Sequence, residues 1–352
     1  MRDGKIRLAL PSKGELEHPT LTFLAECGMK VGRNHPRQYQ GWIESLPGLE
    51  IVFQRVSDIP SLVQSGHVTL GITGYDIVAE HRGSTDEEKE HDPSNADLLV
   101  LSRNLGYGEC RLVIAVPETW NDVHSCADLW HLSNSYSQHQ GRNLRIATKY
   151  PALAEQFLHR HDIYGDVFSP QGALEAAPFT NTADLIVDLT ASGTTLRQNH
   201  LKVLDDGEIL LAQACLLANG RQLKSNHQAL QIAIVMLELM DAHAQAHAQS
   251  ILMATLPLCT CEDFPLFRER LGGHLLGMHL SPSQVSDDPP TSSGSTLSAV
   301  VGRTSRELLE TIAILRSLGA SSITMTPLTS RFMQESVSVR ALHEQLERMC
   351  YE

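Results

Sequence analysis

The sequence predicts an α/β protein with two α/β lobes and a smaller third unit. Short apolar runs alternate with helical patterns through residues 6–204, which indicates α/β layers with mostly parallel sheets. A long helical pattern over 225–248 separates the remainder of the chain. Beyond 250 the order is β-α-β-β-α-β, which is the order of a ferredoxin-like fold.

The first lobe begins with an apolar strand over 6–10 and a turn over 11–14. Ser12 and Glu15 have capping-box spacing, which predicts a helix from about that point. The next strands are predicted over 49–53 and 68–72. This β-loop-α alternation is typical of a parallel sheet.

The second lobe has predicted strands over 110–116 and 144–147 and a helix over 151–160. A polar segment over 131–142 is rich in Ser, Asn and Gln and predicts a loop, and 183–204 reads as strand, loop and helix. The expected boundaries are 1–104 and 184–224 for the first lobe, 105–183 for the inserted second lobe, 225–249 for a connecting helix and 250–352 for the ferredoxin-like unit.

Composition excludes several classes of function. The formal net charge of −13 argues against a nucleic-acid or membrane-surface binder. No apolar run approaches the roughly 18 residues of a membrane-spanning helix. Seven cysteines without a CxxC pair predict a reduced, cytoplasmic protein. Because the chain is acidic overall, an anionic substrate must be held by a few cations and backbone N–H groups.

The stretch DLTASGTTL, residues 188–196, places an aspartate at the end of an apolar strand and a hydroxyl-rich loop around Gly193. Backbone N–H groups at the start of the following helix favour an anion, and glycine permits close approach. The carboxylate of Asp188 suits the two hydroxyls of a ribose. The stretch predicts a ribose-5-phosphate site, and an ordinary βα turn with Asp, Ser and Thr caps is an equal alternative.

Glu175-x12-Asp188-Leu-x-x-Ser-Gly-x-Thr-Leu196 resembles the signature of the ATP phosphoribosyltransferase family. Further segments resemble the same family in the same order. They are 8–28, 53–81, 108–117, 145–158 and 315–328.

The resemblance implies the long form of the family, with two periplasmic-binding-protein-like α/β lobes and a ferredoxin-like regulatory domain. It implies transfer of phosphoribosyl from phosphoribosyl pyrophosphate (PRPP) to N1 of ATP, with release of pyrophosphate, in the first step of L-histidine biosynthesis. Mg²⁺, a homo-oligomer from dimer to hexamer, and inhibition by L-histidine are implied as well. Nucleic-acid and membrane partners are not expected.

The resemblance also assigns site residues. Arg37 and Arg55 match arginines that contact pyrophosphate, and Glu175 matches a glutamate at the cleft. Mg²⁺ is expected to bind mainly through substrate, with Glu175 or Asp188 as candidate ligands. The other expected contacts are Asp188, Leu189, Thr190, Ala191, Ser192, Gly193, Thr194 and Thr195 for PRPP, and Lys13, Gly74, Asp76, Thr148 and Tyr150 for ATP or the cleft.

Each of these assignments has an alternative in which the residue has only a structural role. The arginines and Lys13 would be solvated surface cations, Asp76 a helix cap and Tyr150 a half-buried packing residue. The rival function is a non-catalytic, small-anion-binding or regulatory paralogue of the same fold, and a phosphoribosyltransferase for another base is a second alternative.

Several positions depart from the family pattern. Glu15 stands where many members carry arginine, and Asn181 stands where the signature has glycine, although asparagine tolerates a left-handed backbone. The insertion at 84–96 is extra, and 281–297 differs from the usual effector segment. Because 281–297 is the effector segment, its altered sequence bears most directly on the expected inhibition by histidine.

Overall fold

The computed structural model describes residues 5–35, 38–83, 97–170, 172–247, 249–257, 264–271, 275–282, 294–302 and 304–349. They form two compact units. The first contains the described residues up to Ile234 together with those from Arg340 onward, and the second is Val235–Val339.

The strands of the described chain are numbered along the sequence. They are β1 (Ile6–Pro11), β2 (Val31–Gly32), β3 (Gln40–Ile43), β4 (Leu49–Gln54), β5 (Leu70–Gly74), β6 (Leu98–Ser102), β7 (Cys110–Pro117), β8 (Leu144–Thr148), β9 (Gly165–Phe168), β10 (Leu185–Thr190), β11 (Leu201–Ala212), β12 (Ala214–Asn219), β13 (Gln249–Pro257), β14 (Leu275–Pro282), β15 (Gly294–Gly302) and β16 (Ser322–Pro327).

The helices are numbered in the same way. They are α1 (Glu17–Glu26), α2 (Ile59–Gln64), α3 (Tyr75–Arg82), α4 (Cys126–Ser135), α5 (Pro151–Arg160), α6 (Thr194–Gln198), α7 (Gly220–Ser225), α8 (His227–His247), α9 (Phe264–Leu271), α10 (Ser305–Ser317) and α11 (Val337–Arg348).

The first lobe is built on a seven-stranded sheet with the order β2-β3-β4-β1-β5-β12-β6. Strand β1 is parallel to β4 and β5, whereas β12 is antiparallel to β5 and β6. Every residue of β5 and β12 is buried, as expected for central strands covered on both faces. The carboxyl ends of β1, β4 and β5 therefore lie at one edge of this sheet.

The second lobe is built on a five-stranded sheet with the order β11-β7-β10-β8-β9. Strand β8 is parallel to β9 and β10, and β7 is antiparallel to β10 and β11. In each lobe, the strand that immediately follows a crossing of the chain from the other lobe is antiparallel to both of its neighbours. This strand is β12 in the first lobe and β7 in the second. Two α/β lobes, each built on its own sheet, are the architecture that the sequence predicts for this part of the chain.

The expected boundary at 184–224 is wrong for most of that range. Strands β10 and β11 lie in the second sheet, and only the chain from β12 onward returns to the first. An apolar run such as β10 suits the centre of either sheet, so its sequence does not specify which partner strands it takes. Pairing with β7 and β8 decides its position.

The second unit contains a four-stranded antiparallel sheet with the order β14-β15-β13-β16. With α9 and α10 inserted along the chain, this is the ferredoxin-like order, and that prediction is confirmed. One face of the sheet packs into a core that includes Leu252, Leu297 and Leu315.

The final helix departs from the predicted range of 250–352 for this unit. From Arg340 onward α11 belongs to the first unit. Leu342 and Leu346 on its apolar side are buried, and the Gln345 side-chain amide donates to the backbone carbonyl of Val100 at 3.2 Å. An amphipathic helix buries its apolar side against any matching surface. The sequence of α11 therefore predicts which side is buried but not which unit it packs against. Among the described residues, no helix combines the length and apolarity required to cross a membrane.

Asp184 is the centre of an ion-pair network beside β8. Its carboxylate accepts from the guanidinium groups of Arg142 (2.6 and 3.0 Å) and Arg145 (2.9 and 3.3 Å) and from the Arg145 backbone N–H at 2.8 Å. Although burial opposes ionisation, these hydrogen bonds hold the pKa of Asp184 well below its usual range.

We expect Asp184→Asn to lower the free energy of unfolding at pH 7 by about 2 kcal/mol, because charge-assisted hydrogen bonds are lost beside two partly exposed arginines. The depressed pKa means that this stabilisation is complete above the unfolded-state pKa of about 4 and is lost as pH falls below it. Urea unfolding monitored by circular dichroism should therefore show the two proteins converging below pH 4. A difference that stays constant down to pH 2 would contradict this account.

Glu208→Gln is the matched control in the same sheet. Glu208 pairs with Arg111 at 3.4 Å, and the two side chains are 48% and 43% exposed. A pair of this kind contributes about 0.5 kcal/mol, so the control should unfold like the wild type at every pH.

Candidate active site

The predicted site residues follow the carboxyl ends of parallel strands in both lobes. In the first lobe Lys13 follows β1, Arg55 follows β4, and Asp76 follows β5. In the second lobe Tyr150 follows β8, and the 188–195 segment begins in the last residues of β10 and continues into α6. Ligands of open α/β sheets bind at such ends, where loops from several strands converge.

Asp76 and Tyr150 join the two lobes directly. The Tyr150 hydroxyl donates to Oδ2 of Asp76 at 2.7 Å, and both side chains are buried. Burial raises the pKa of Asp76 even though the Tyr150 hydrogen bond opposes the shift. Burial, followed by the Asp76 charge, raises the pKa of Tyr150 as well. The tyrosine therefore remains a hydrogen-bond donor at neutral pH.

Gly74 and Thr148 support the contact between Asp76 and Tyr150. A Cβ on Gly74 would overlap the carboxylate of Asp76, so glycine is required for that side chain to take its position. The Thr148 hydroxyl is fully buried and accepts from the backbone N–H of Tyr150 at 2.9 Å. The expectation that Thr148 itself lines the cleft is corrected, since its hydroxyl supports the turn that presents Tyr150.

Asp188 is half-buried at the end of β10. Burial, reinforced by the nearby charge of Glu175, raises the pKa of Asp188 to about 6, while the Leu189 backbone N–H, which donates to Oδ1 at 2.8 Å, and Lys149 act in the opposite direction. Glu175 lies in a turn on the same lobe and is partly exposed. The charges of Glu175 and Lys149 therefore both act on the Asp188 carboxylate.

Lys149 was missed by the sequence reasoning. It lies between Thr148 and Tyr150, is exposed, and is close enough to influence Asp188 electrostatically. The segment Ala147–Tyr150 did contain a signal, because a lysine directly after a buried parallel strand lies at the edge of the sheet where ligands bind.

The loop after Asp188 is a hydroxyl-rich turn around Gly193. Gly193 has φ +73°, and its backbone N–H donates to the Thr190 hydroxyl at 2.8 Å. The hydroxyls of Ser192 and Thr194 are 2.9 Å apart and exposed. The Thr194 backbone N–H donates to the Ser192 hydroxyl at 3.4 Å, and the other N–H groups in the first turn of α6 have no acceptor within the helix. Of the remaining loop residues, Ala191 and Thr195 are exposed, Leu189 is half-buried and Thr190 is buried.

Arg55 and Lys13 are brought together on the first lobe. The Ser12 backbone N–H donates to the Gln54 carbonyl at 2.8 Å, which links the loops that carry the two cations. Both side chains are exposed, and within the described part of the chain neither forms a side-chain hydrogen bond or ion pair. Arg37 lies outside the described residues.

Asn181 occupies the left-handed backbone conformation that the family glycine would provide, with φ +57°. Its carbonyl accepts from the Arg145 guanidinium at 2.7 Å, which fixes the turn against the sheet. The expectation that asparagine preserves this turn is confirmed.

Comparisons with known proteins identify the family of the chain. The model of the ATP phosphoribosyltransferase family matches residues 55–239. The chain is 33% identical over 336 residues to ATP phosphoribosyltransferase 2, chloroplastic, of Arabidopsis thaliana, covering 94% of this chain and 78% of the relative. It is 41% identical over 232 residues to ATP phosphoribosyltransferase of Brucella anthropi, covering 65% of this chain and 95% of the relative.

Among solved structures, the HisG:HisZ ATP phosphoribosyl transferase complex from Thermotoga maritima is 22% identical, with a TM-score of 0.48, and the match covers 67% of this chain and 98% of that one. The Arabidopsis match extends over both compact units, which is the extent expected of the long form. On the family match and these relatives, the chain belongs to the ATP phosphoribosyltransferase family.

Proposed function

We propose that the chain transfers the 5-phosphoribosyl group from PRPP to N1 of ATP, giving N1-(5-phosphoribosyl)-ATP and pyrophosphate, as the first step of L-histidine biosynthesis. The observation that carries the proposal is the complete Asp188–Thr195 loop in a chain of this family. Its strand-end carboxylate suits the ribose hydroxyls, and its N–H and hydroxyl donors suit the 5-phosphate.

The reaction requires positioning more than acid-base chemistry. The N1 lone pair of adenine forms a bond to C1 of the ribose as the bond from C1 to pyrophosphate breaks, and pyrophosphate leaves with that electron pair. In this proposal Arg55 and Arg37 stabilise the departing charge, while Tyr150 and Asp76 orient the adenine side of the cleft. Preorganised donors and cations of this kind supply most of such a rate enhancement.

We further propose that Mg²⁺ binds with the substrate, held on the protein side by Asp188 and Glu175. The fit is supported by the effect of the Glu175 charge on Asp188, since hard cations prefer oxygen ligands and Mg²⁺ commonly uses one or two carboxylates plus substrate phosphates. Among the described residues, no cluster of three or more His, Cys, Asp or Glu could hold a metal without substrate. When bound, the ion would neutralise charge on the pyrophosphate.

The ferredoxin-like unit supports a regulatory proposal. We propose that L-histidine inhibits the enzyme through this unit, and that the protein is a cytoplasmic homo-oligomer. Most of the altered effector segment at 281–297 lies outside the described residues, as does the insertion at 84–96. Light scattering of the full chain with and without histidine would test the oligomer, and a rate unaffected by histidine would refute the inhibition.

The activity itself is tested by a pyrophosphatase-coupled assay with ATP, PRPP and Mg²⁺. Pyrophosphate release should require both substrates, and GTP should not replace ATP. Folded protein that binds PRPP without releasing pyrophosphate would favour the non-catalytic paralogue. Release with a different base would favour the other phosphoribosyltransferase.

PRPP affinity should depend on pH through Asp188. Because its pKa is raised to about 6, the carboxylate becomes protonated below that pH and loses its preference for a diol or cation. Calorimetric titration between pH 8 and pH 5 should show PRPP affinity falling by up to about tenfold per unit below pH 6.

Asp188→Asn separates this effect from the titration of the PRPP phosphate, which is common to both proteins. The variant should bind PRPP more weakly at pH 8 and show a shallower profile. Identical profiles for the two proteins would exclude Asp188 as the titrating group.

A further inference from the structure

Helix α3 of the first lobe holds the start of α5 in the second lobe at two points. Asp76 and Glu80 are four residues apart and therefore share one face of α3. Asp76 accepts from the Tyr150 hydroxyl, as described above. The Glu80 carboxylate accepts from the backbone N–H of Ala152 at 2.9 Å and of Leu153 at 3.0 Å.

Helix α5 has no cap of its own. Its N-cap residue is Tyr150, whose side chain forms no capping hydrogen bond, and Pro151 has no N–H. The first N–H groups of a helix need acceptors, usually provided by Ser, Thr, Asp or Asn at the N-cap. Glu80 provides this acceptor from the other lobe. Because the N-cap residue itself is then not needed as an acceptor, that position can be occupied by Tyr150, which contacts Asp76 instead.

We propose that Glu80 is a positioning residue for the transfer reaction, an inference that rests on the proposed function. By capping α5 it fixes Tyr150 against α3, and it thereby sets the geometry of the ATP side of the cleft. A carboxylate at this helix terminus also occupies the donors that would otherwise attract a substrate phosphate. Glu80 bonds to the start of α5 and not to β10 or α6, which carry the phosphoribosyl loop, so we expect PRPP binding not to depend on this cap.

The test compares Glu80→Ala and Glu80→Gln in the full chain. Glu80→Ala should lower kcat/KM for ATP by about tenfold or more, because small misplacements of orienting groups are costly, while the Kd for PRPP remains unchanged. The near-isosteric Glu80→Gln keeps an acceptor oxygen and should lose less. Hydrogen exchange at Ala152 and Leu153 should accelerate in the alanine variant.

Glu155→Gln is the matched control, since it removes the same charge from an exposed position on α5. It should leave both kinetic constants and the exchange rates unchanged. Equal losses for ATP and PRPP together with a lower Tm would reduce Glu80 to a structural role and overturn the inference. Faster exchange at Ala152 with unchanged ATP kinetics would overturn it as well.

The proposed function and this inference fail in different ways. A wild-type protein that releases no pyrophosphate refutes the function. Calorimetric binding of ATP to the wild type and to Glu80→Ala still judges the positioning role in that case. Equal ATP affinity in the two proteins would then refute it, and weaker binding in the variant alone would support it.

Discussion

Arg55→Ala is expected to lower kcat/KM by about 10²–10³-fold, the range found when one preorganised group that stabilises transition-state charge is removed. Arg55 is exposed in an extended segment between β4 and the turn Val56–Asp58, next to the loop of Lys13. Charge develops on pyrophosphate as its bond to C1 breaks, so the loss should fall mainly on kcat. Initial rates over a matrix of ATP and PRPP concentrations measure it.

Two variants control this prediction. Arg55→Lys keeps the charge but not the planar fork of donors, so it should recover only part of the rate. Arg221→Ala removes an 80% exposed arginine on α7 of the same lobe, which pairs with Asp97, and it should leave the rate unchanged. Wild-type activity in Arg55→Ala would remove Arg55 from the catalytic assignment.

Gly193→Val is expected to weaken PRPP binding by about a hundredfold or more, because misplacing the loop donors disrupts the phosphate contacts. Gly193 has φ +73°, a conformation that costs other residues roughly 1–2 kcal/mol and β-branched residues more. No atom outside the neighbouring residues lies within 4 Å of a Cβ built there, so the cost comes from the backbone rather than from a clash. Calorimetric titration with PRPP measures the effect.

Gly141→Val controls for the loss of stability. Gly141 has φ +62°, the same open space around a Cβ, and a position in the same lobe outside the site. It should lower Tm by a similar amount and leave the Kd for PRPP unchanged. Equal weakening by the two variants would mean that the loop geometry has no special part in binding.

The alternation of strands and helices was predictable because buried parallel strands are continuous apolar runs and their helices carry a 3.6-residue period. Local capping was less predictable. The Ser12–Glu15 spacing predicts a capping box, yet α1 begins at Glu17 with Leu16 at its N-cap and no capping side chain. The prediction is wrong because Ser12 bonds through its backbone to β4.

The predicted loop over 131–142 is also wrong. Helix α4 continues to Ser135, and a π-helical turn follows over Tyr136–Gln140. The capping box that does form, between Ser125 and Asp128, starts this helix, and the burial of Leu129 and Ser133 sustains it through a polar sequence. Tertiary packing overrides composition here.

The candidate site was predictable residue by residue where it is local in sequence, as in the 188–195 loop. Contacts between distant segments were not. The pairing of Asp76 with Tyr150 and the capping of α5 by Glu80 depend on how the two lobes meet. No spacing in the sequence encodes that arrangement, which is also why the predicted lobe boundary at 184 is wrong.

The most direct test of the proposed function is the identification of the product. The full chain would be incubated with ATP, PRPP and Mg²⁺, and the nucleotide analysed by mass spectrometry and by NMR at the adenine ring. The expected result is ATP carrying one 5-phosphoribosyl group on N1, formed in equal amount to pyrophosphate. Unchanged ATP and PRPP in the presence of folded, PRPP-binding protein would contradict it.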